Sequence, residues 1–275
     1  MLFFIQFLST FAAKFVGAMA ITPFFYILAQ LFIQFAPKTV VTKAPIPVYD
    51  SLARHIYLSF DDGPLPGTAN CIDISLNEKV PITFFEVGLH QSRSKHGQKL
   101  YQRILANKNM FALCNHSFSH AYGKYLDYYN HPDSALADFL HAKAVLQPDN
   151  NITRLPGNNG WSTTSIRKSS GLVRPLVRKL DSAGFNVVGW DLQWHFNAFG
   201  RPVQSPAAMS ALVDSLFYHN KTKTKNHLVI LMHDPMFRRP SDSLQLVEFI
   251  RLLKLNAAYK FDKLTAYPGL KQQRY

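Results

Sequence analysis

Short apolar segments alternate along the chain with longer amphipathic segments, and this alternation constrains the fold more than any other feature. The pattern predicts strands at residues 55–60, 82–87, 110–114, 186–190 and 227–232. It predicts helices at residues 67–79, 98–108, 134–146, 167–183, 209–218 and 243–255. Strands that alternate with helices indicate parallel βα units, in which chemistry collects at the carboxyl ends of the strands.

Two adjacent carboxylates, Asp61 and Asp62, follow the first predicted strand. Successive side chains on an extended backbone point to opposite sides, so these two can serve different centres. One would bind a cation and the other would face a substrate. A solvated acidic turn without function is the alternative interpretation.

Two histidines follow the third predicted strand, and a third histidine ends the last one. His116 and His120 are four residues apart, which places both imidazoles on one face of a helical turn and suits a metal ion with nitrogen ligands. With Asp62 they form a set of two histidines and one carboxylate that fits zinc, iron, cobalt or manganese. His233 is either a buried core residue or, beside a metal and a carboxylate base, a general acid.

These segments, in this order, resemble the motifs of the polysaccharide deacetylase family, the NodB-homology domain of carbohydrate esterase family 4. Residues 59–64 (SFDDGP) resemble its first motif, 115–120 (NHSFSH) its second and 154–157 (RLPG) its third. Residues 190–194 (WDLQW) match the fourth motif loosely, and 231–233 (LMH) match the fifth. Residues 83–88 (TFFEVG) resemble a strand typical of the family, and the resemblance covers roughly residues 55–270.

The resemblance implies an α/β fold, a distorted (β/α) barrel of the NodB-homology type, preceded here by an N-terminal apolar helix. It implies metal-dependent hydrolysis of N-acetyl groups on a cell-envelope polysaccharide or glycan, with release of acetate. Zn²⁺ is the expected metal, and Co²⁺, Ni²⁺ or Mn²⁺ also fit such ligands. The implied site residues are the general base Asp61, the general acid His233, the metal ligands Asp62, His116 and His120, the supporting Arg154, the backbone N–H donor Gly157, and the pocket walls Trp190 and Leu231.

The fourth motif departs from the family pattern. It usually carries a further aspartate that tunes the acid histidine, but Gln193 and His195 interrupt that pattern here. Asp191 takes over that role, or Asp234 does, or neither does. Gly157 also stands where many members have tyrosine, which predicts a more open sugar groove. Neither departure removes a metal ligand or the base.

Three other functions compete with the deacetylase. A non-catalytic glycan-binding module of the same fold would not need base and acid together, so the intact residue set argues against it. An O-acetyl esterase, or a deacylase acting on a non-sugar amide, remains open because the attack on a carbonyl is similar. Nucleic-acid binding is suggested only by the net charge of +13, and no recognised motif supports it. The charge equally suits an anionic glycan or a lipid surface.

The N-terminus predicts a membrane segment. Residues 15–37 carry no charged side chain, and a helix of about 20 apolar residues crosses a bilayer. We interpret residues 1–43 as an uncleaved anchor, with a cleaved signal or a buried helix as alternatives. Residues 44–54 would be a linker and 55–275 the catalytic domain, anchored facing the periplasm or cell exterior, or exported. The basic flanks leave the orientation open.

The chain contains two cysteines, Cys71 and Cys114. We expect both to be buried free thiols, which is the usual state of unpaired cysteine, and a single disulfide is the alternative. The oligomeric state is not indicated by any sequence feature.

Overall fold

The computed structural model describes residues 53–271. The predicted anchor at 1–43 and most of the predicted linker at 44–54 therefore lie outside the described residues. Within 53–271, none of the helices combines the length and the apolar character needed to cross a bilayer.

Ten strands and eight α-helices make up the described part of the chain. The strands are β1 Arg54–Asp61, β2 Ile82–Glu86, β3 Phe111–Asn115, β4 Ile152–Thr153, β5 Trp161–Ser162, β6 Arg167–Lys168, β7 Asn186–Val187, β8 Leu192–Gln193, β9 His227–His233 and β10 Tyr259–Phe261. The helices are α1 Thr68–Glu78, α2 Gly88–Arg93, α3 Lys95–Ala106, α4 Tyr125–Asn130, α5 Pro132–Leu146, α6 Arg174–Ser182, α7 Pro206–Tyr218 and α8 Pro240–Lys254.

The strands form one curled sheet in the order β6-β5-β7-β4-β3-β2-β1-β9-β8, and β10 pairs with the start of β1. The ladders between named strands are parallel, except that β5 is antiparallel to both β6 and β7. The predicted α/β class is confirmed. The barrel is incomplete, because β6 and β8 at its two ends do not pair with each other within the described residues.

Strand β1 lies at the centre of the sheet and separates two apolar layers. Its even-numbered residues, such as Leu58 and Phe60, pack in the larger core cluster beneath the helices. Tyr57, on the opposite face, packs in a second cluster with residues of β2 and β3. Because side chains alternate along a strand, Ser59 and Asp61 share the face of Tyr57. Alternation in β1 therefore brings polar groups to the inner face of the curled sheet.

The prediction of one long helix at 167–183 is wrong for the first half of that segment. Residues Arg167–Lys168 form β6, which pairs with β5, and the helix begins only at Arg174. Thr163 explains the difference, since its Oγ1 accepts hydrogen bonds from the N–H groups of Ser165 and Ile166 and so closes a hairpin. A proline in the first turn then sets the start of α6.

The strand predicted at 186–190 is also shorter than expected, because β7 ends at Val187. The carbonyl groups of Val188 and Gly189 accept hydrogen bonds from the buried side chain of Arg154. Those carbonyls therefore accept hydrogen bonds from a side chain rather than from a neighbouring strand.

Both cysteines are free and buried, as expected. Cys71 belongs to the larger core cluster and Cys114 to the second cluster. Burial raises the pKa of both thiols, which keeps them protonated and unreactive.

We predict that Phe249→Ala lowers the free energy of unfolding by about 3–5 kcal/mol. Phe249 is fully buried in α8, and its ring centroid lies 5.0 Å from that of Trp194. Urea denaturation would measure the change. Leu244→Ala is the matched control, because Leu244 lies on the same helix and is 66% exposed. Its cost should stay within about 0.5 kcal/mol, and equal costs for the two variants would contradict the assigned core.

Candidate functional site

The candidate site lies at the carboxyl ends of the central strands. Asp61 ends β1, His233 ends β9, His116 follows β3 and Arg154 follows β4. Asp61 and His233 are directly paired across β1 and β9. The structure thus brings together side chains that are far apart in the chain, at the edge where parallel sheets carry their chemistry.

Asp62, His116 and His120 present three ligand atoms that all lie within 4.8 Å of one another. Oδ1 of Asp62 is 3.5 Å from Nε2 of His116 and 3.1 Å from Nε2 of His120. That oxygen is buried and no donor meets hydrogen-bond geometry with it. An unpaired buried oxygen facing two imidazole nitrogens is chemically suited to a divalent first-row metal ion, so the residues present fit such an ion.

The two histidines do not lie on a helical turn, so that part of the prediction is wrong. Ser117 has φ 68° and His120 has φ 52°, both in the left-handed region. Side chains close this turn, because Oδ1 of Asn115 accepts from the N–H of Ser117 and Oγ of Ser117 accepts from the N–H of His120. The two imidazole centroids nevertheless lie 5.0 Å apart.

The backbone orients the His116 ring. Nδ1 of His116 lies 3.0 Å from the carbonyl oxygen of Arg154, which leaves Nε2 for a metal ion. Burial opposes protonation of this ring, but the nearby carboxylates of Asp61 and Asp62 dominate and raise the pKa of His116. Burial alone would raise the pKa of Asp62, but the imidazoles of His116 and His120 close to its carboxylate hold that pKa well below its usual range.

Arg154 holds Asp61 in a fully buried ion pair. Arg154 is 0% exposed and Asp61 is 2% exposed. The guanidinium also lies 4.0 Å above the ring of Phe85. Its N–H groups donate to four acceptors, namely Oδ1 of Asp61 at 2.8 Å, Oγ of Ser59 at 2.8 Å, and the carbonyls of Val188 at 3.1 Å and Gly189 at 2.9 Å. Oδ2 of Asp61 does not bond to Arg154 and lies 3.6 Å from Nε2 of His116.

Neither aspartate considered for His233 bonds to its ring. Nδ1 of His233 is buried without a hydrogen-bond partner among residues 53–271. Asp191 instead accepts from the backbone N–H groups of Lys223 at 2.7 Å and Val229 at 2.9 Å, near the start of β9. Burial lowers the pKa of His233. The ring of Phe196 packs edge-on against it at 5.0 Å.

A second pair of buried carboxylates, Glu86 and Asp234, lies behind the site and was not anticipated. Both side chains are 0% exposed, and Thr68 donates a hydrogen bond to Asp234. Burial raises the pKa of both groups, that of Asp234 to about 8. A Cβ atom on Gly63 would lie 2.4 Å from Oδ2 of Asp234 and 2.6 Å from Oε1 of Glu86, so any larger residue there would have to displace these carboxylates. The sequence feature that could have indicated this pair is Glu86, a glutamate at the end of a mostly apolar strand.

The predicted pocket walls also lie near this centre. Leu231 is 2% exposed, while Trp190 is half-buried. The side-chain amide of Asn159 binds both the N–H and the carbonyl of Trp190, a role that the sequence did not reveal. Gly157 is exposed with φ 63°, and its N–H has no acceptor within the described part of the chain. Trp161 and Trp194 are core residues, 1% and 0% exposed.

The fold is a curled, mostly parallel sheet, and its site combines buried carboxylates with histidines that could hold a divalent metal ion. The family model for polysaccharide deacetylases matches residues 49–158. The peptidoglycan-N-acetylglucosamine deacetylase of Bacillus cereus is 27% identical over 202 residues, 72% of this chain and 66% of the relative. A chitooligosaccharide deacetylase of Rhizobium leguminosarum bv. trifolii is 34% identical over 84 residues, 30% of this chain and 37% of the relative. The chain thus spans less than two thirds of the length of either curated relative.

Solved structures share the fold. The catalytic domain of a peptidoglycan N-acetylglucosamine deacetylase from Eubacterium rectale has a TM-score of 0.57 and 23% identity, covering 82% of this chain and 95% of that one. A Streptococcus mutans family 4 carbohydrate esterase has a TM-score of 0.56 and 23% identity, covering 77% and 86%. The match over residues 49–158 and the shared fold thus link the chain to the polysaccharide deacetylases, a family of hydrolases.

We predict that His116→Ala weakens Zn²⁺ binding by at least about 100-fold, because it removes one of three protein ligands. Competition with a chelator of known affinity would measure the change. His131→Ala is the matched control, since the His131 side chain is 66% exposed and outside the site. Wild-type affinity in His116→Ala would contradict the assigned centre.

Proposed function

We propose that this protein removes N-acetyl groups from a cell-envelope glycan built on N-acetylglucosamine-type sugars and releases acetate. The observation that carries the proposal is the convergence of a base, an acid and three metal ligands at the end of β1. These are Asp61, His233, Asp62, His116 and His120. The relatives named for peptidoglycan and chitooligosaccharide support the substrate class.

Asp61 is the general base in this mechanism. Arg154 binds Oδ1, so the carboxylate is held in one orientation with Oδ2 on the side of His116. Oδ2 would accept a proton from the attacking water as that water adds to the acetyl carbonyl. A base fixed in this way needs no reorientation during the reaction.

His233 is the general acid. It is paired with Asp61 across two adjacent strands, so the two groups face one substrate bond. Because Nδ1 is buried without a partner, Nε2 is the nitrogen left to protonate the departing sugar amine. Cleavage of the carbon–nitrogen bond then yields acetate and a free amine, with the water supplying the oxygen and the protons.

The remaining groups bind and orient the substrate. Asp62, His116 and His120 would hold a divalent ion, whose Lewis acidity would polarise an acyl carbonyl and make a water molecule more acidic. The N–H of Gly157 is the donor that we assign to the developing oxyanion. Trp190 and Leu231 form walls against the acetyl methyl group. Asn159 is a positioning residue that holds the Trp190 backbone.

The glycan substrate also suggests a location. We propose that the domain works outside the cytoplasm, tethered to the membrane through residues 1–43. The apolar residues 15–37 and the peptidoglycan named for a relative support this location. Envelope glycan and a membrane are then the two partners of the protein.

We predict that Asp61→Asn lowers kcat for acetate release about 10²- to 10⁴-fold while the bound metal stays at the wild-type level. The reason is that Asp61 accepts a proton during the reaction and does not belong to the three-residue metal cluster. Acetate release from peptidoglycan and from chitooligosaccharides would be measured with added Zn²⁺ or Co²⁺, beside metal analysis of the protein.

Two further variants separate the competing functions. Asp62→Ala should lose metal and activity together, and His131→Ala should keep both. Acetate released only from acetylated xylan would replace the proposal with an O-acetyl esterase. Full metal binding without acetate from any glycan would favour the glycan-binding module.

A further inference from the structure

A second concave site lies at the edge of the sheet, between helix α6 and the hairpin of β5 and β6. It is a groove of about 720 Å³, which is in the size range of small-molecule sites. None of its lining residues belongs to the candidate metal centre. The cationic groove, as we call it, is lined by Trp161, Ser162, Arg167, Lys168, Ser169, Arg174, Val177, Arg178, Asp181 and Ser182.

Regular structure forms both walls of the cationic groove. Its α6 residues lie at positions 174, 177, 178, 181 and 182, the spacing that shares one face of a helix. The other wall is β5 and β6, with Trp161 only 1% exposed beneath it. The groove is therefore preformed and does not depend on a long loop.

The charge of the cationic groove is unbalanced. Its single carboxylate, Asp181, is already engaged by Lys271 and by the hydroxyl of Ser162. Burial alone would raise the pKa of Asp181, but these hydrogen bonds lower it, so the group is ionised and offset by Lys271. A guanidinium nitrogen of Arg167 lies 3.9 Å from Oδ2 of Asp181, and the Arg167 side chain is 74% exposed.

Three cations of the groove have no acidic partner within residues 53–271. They are Lys168, Arg174 and Arg178, which the structure places in no ion pair and no side-chain hydrogen bond. Lys179, on a different face of the same helix, does pair with Asp133. The lack of partners is therefore a property of the groove face and not of helix α6 as a whole.

The positions of the two arginines are unfavourable for the stability of helix α6. Arg174 and Arg178 are four residues apart, and like charges at that spacing destabilise a helix. Arg174 also begins α6, where the helix dipole disfavours positive charge. A bound anion would offset both effects, and a guanidinium pair suits phosphate oxygens because each can donate two parallel hydrogen bonds.

We propose that the cationic groove binds a phosphate-bearing ligand, with Arg174 and Arg178 from the helix and Lys168 from the hairpin as the phosphate contacts. A group carrying about two negative charges matches these cations, whereas one carboxylate would leave most of their charge unbalanced. The hydroxyl of Ser169 is a further donor on the same wall. The phosphate is either a free inorganic group or the headgroup of a membrane lipid. The proposal is independent of the deacetylase activity.

The test uses the full-length protein and inorganic pyrophosphate as the probe. Binding would be measured by isothermal titration calorimetry at 50 mM and 200 mM salt, and thermal unfolding with and without pyrophosphate would be followed in parallel. We expect binding that weakens with salt and a rise in Tm on ligand addition. The double variant R174Q/R178Q should bind at least tenfold more weakly and lose the rise in Tm.

The matched control is K99Q/K179Q, which removes the same charge from exposed or partly exposed helix positions outside the groove. It should retain the wild-type affinity and the rise in Tm. Without ligand, R174Q/R178Q should melt no lower than wild type, because the two arginines have no partners to lose. Equal weakening in both double variants, no pyrophosphate binding by wild type, or a lower ligand-free Tm in R174Q/R178Q would overturn the proposal.

Vesicles distinguish the two sources of phosphate. Phosphatidylglycerol vesicles that compete with pyrophosphate for wild-type protein, where phosphatidylcholine vesicles do not, would identify a lipid headgroup. Pyrophosphate binding that neither vesicle affects would identify a free phosphate. Residues 1–43 are identical in both double variants, so competition by phosphatidylglycerol vesicles that persists in K99Q/K179Q and is lost in R174Q/R178Q would assign the headgroup to the cationic groove.

Discussion

The buried ion pair between Arg154 and Asp61 is the interaction on which the rest of the site depends. Removing both charges from water costs several kcal/mol per ion, and only close geometry with further hydrogen bonds compensates for that. Arg154 meets this condition, because it donates to Asp61, to Ser59 and to two backbone carbonyls beyond β7. One side chain thereby joins β1, β4 and the segment after β7.

The same residue also orients one of the proposed metal ligands. The carbonyl of Arg154 sets the ring of His116, and its side chain sets Asp61, so the proposed base and this proposed ligand are oriented from one point on the backbone. The backbone around them adopts conformations that most residues avoid. Asp62 has φ 78°, and Ser117 and His120 are also in the left-handed region. Such conformations persist only where surrounding contacts enforce them, and they often mark functional sites.

The buried carboxylates at the site and behind it differ in the direction of their pKa shifts. Asp62 lies beside two histidines and its pKa is lowered, whereas Glu86 and Asp234 have no cation beside them among residues 53–271 and burial raises their pKa values. The neighbouring histidines make the difference, since an unpaired carboxylate in a low-dielectric interior favours its neutral form.

The apolar strands and the order of the chemistry-bearing motifs could be predicted from the sequence. Strands β1, β2, β3 and β9 begin and end within one or two residues of their predicted bounds, because each is a continuous apolar run. The structure of residues 167–183 could not be predicted. The apolar residues there have helix-like spacing, but the first part of the segment forms a hairpin closed by Thr163. The left-handed turn between His116 and His120 has no periodic signature either.

The sequence by itself determined the α/β class, the free buried cysteines and the set of residues at the strand ends, because these follow from local pattern and composition. Only the tertiary structure decided how that set is arranged. Arg154 reaches Asp61 across 93 positions, Asp191 turns towards the start of β9 rather than to His233, and unpaired cations gather between α6 and the hairpin. Each outcome depends on which polar groups find a partner, and pairing is a property of the packed chain rather than of any segment.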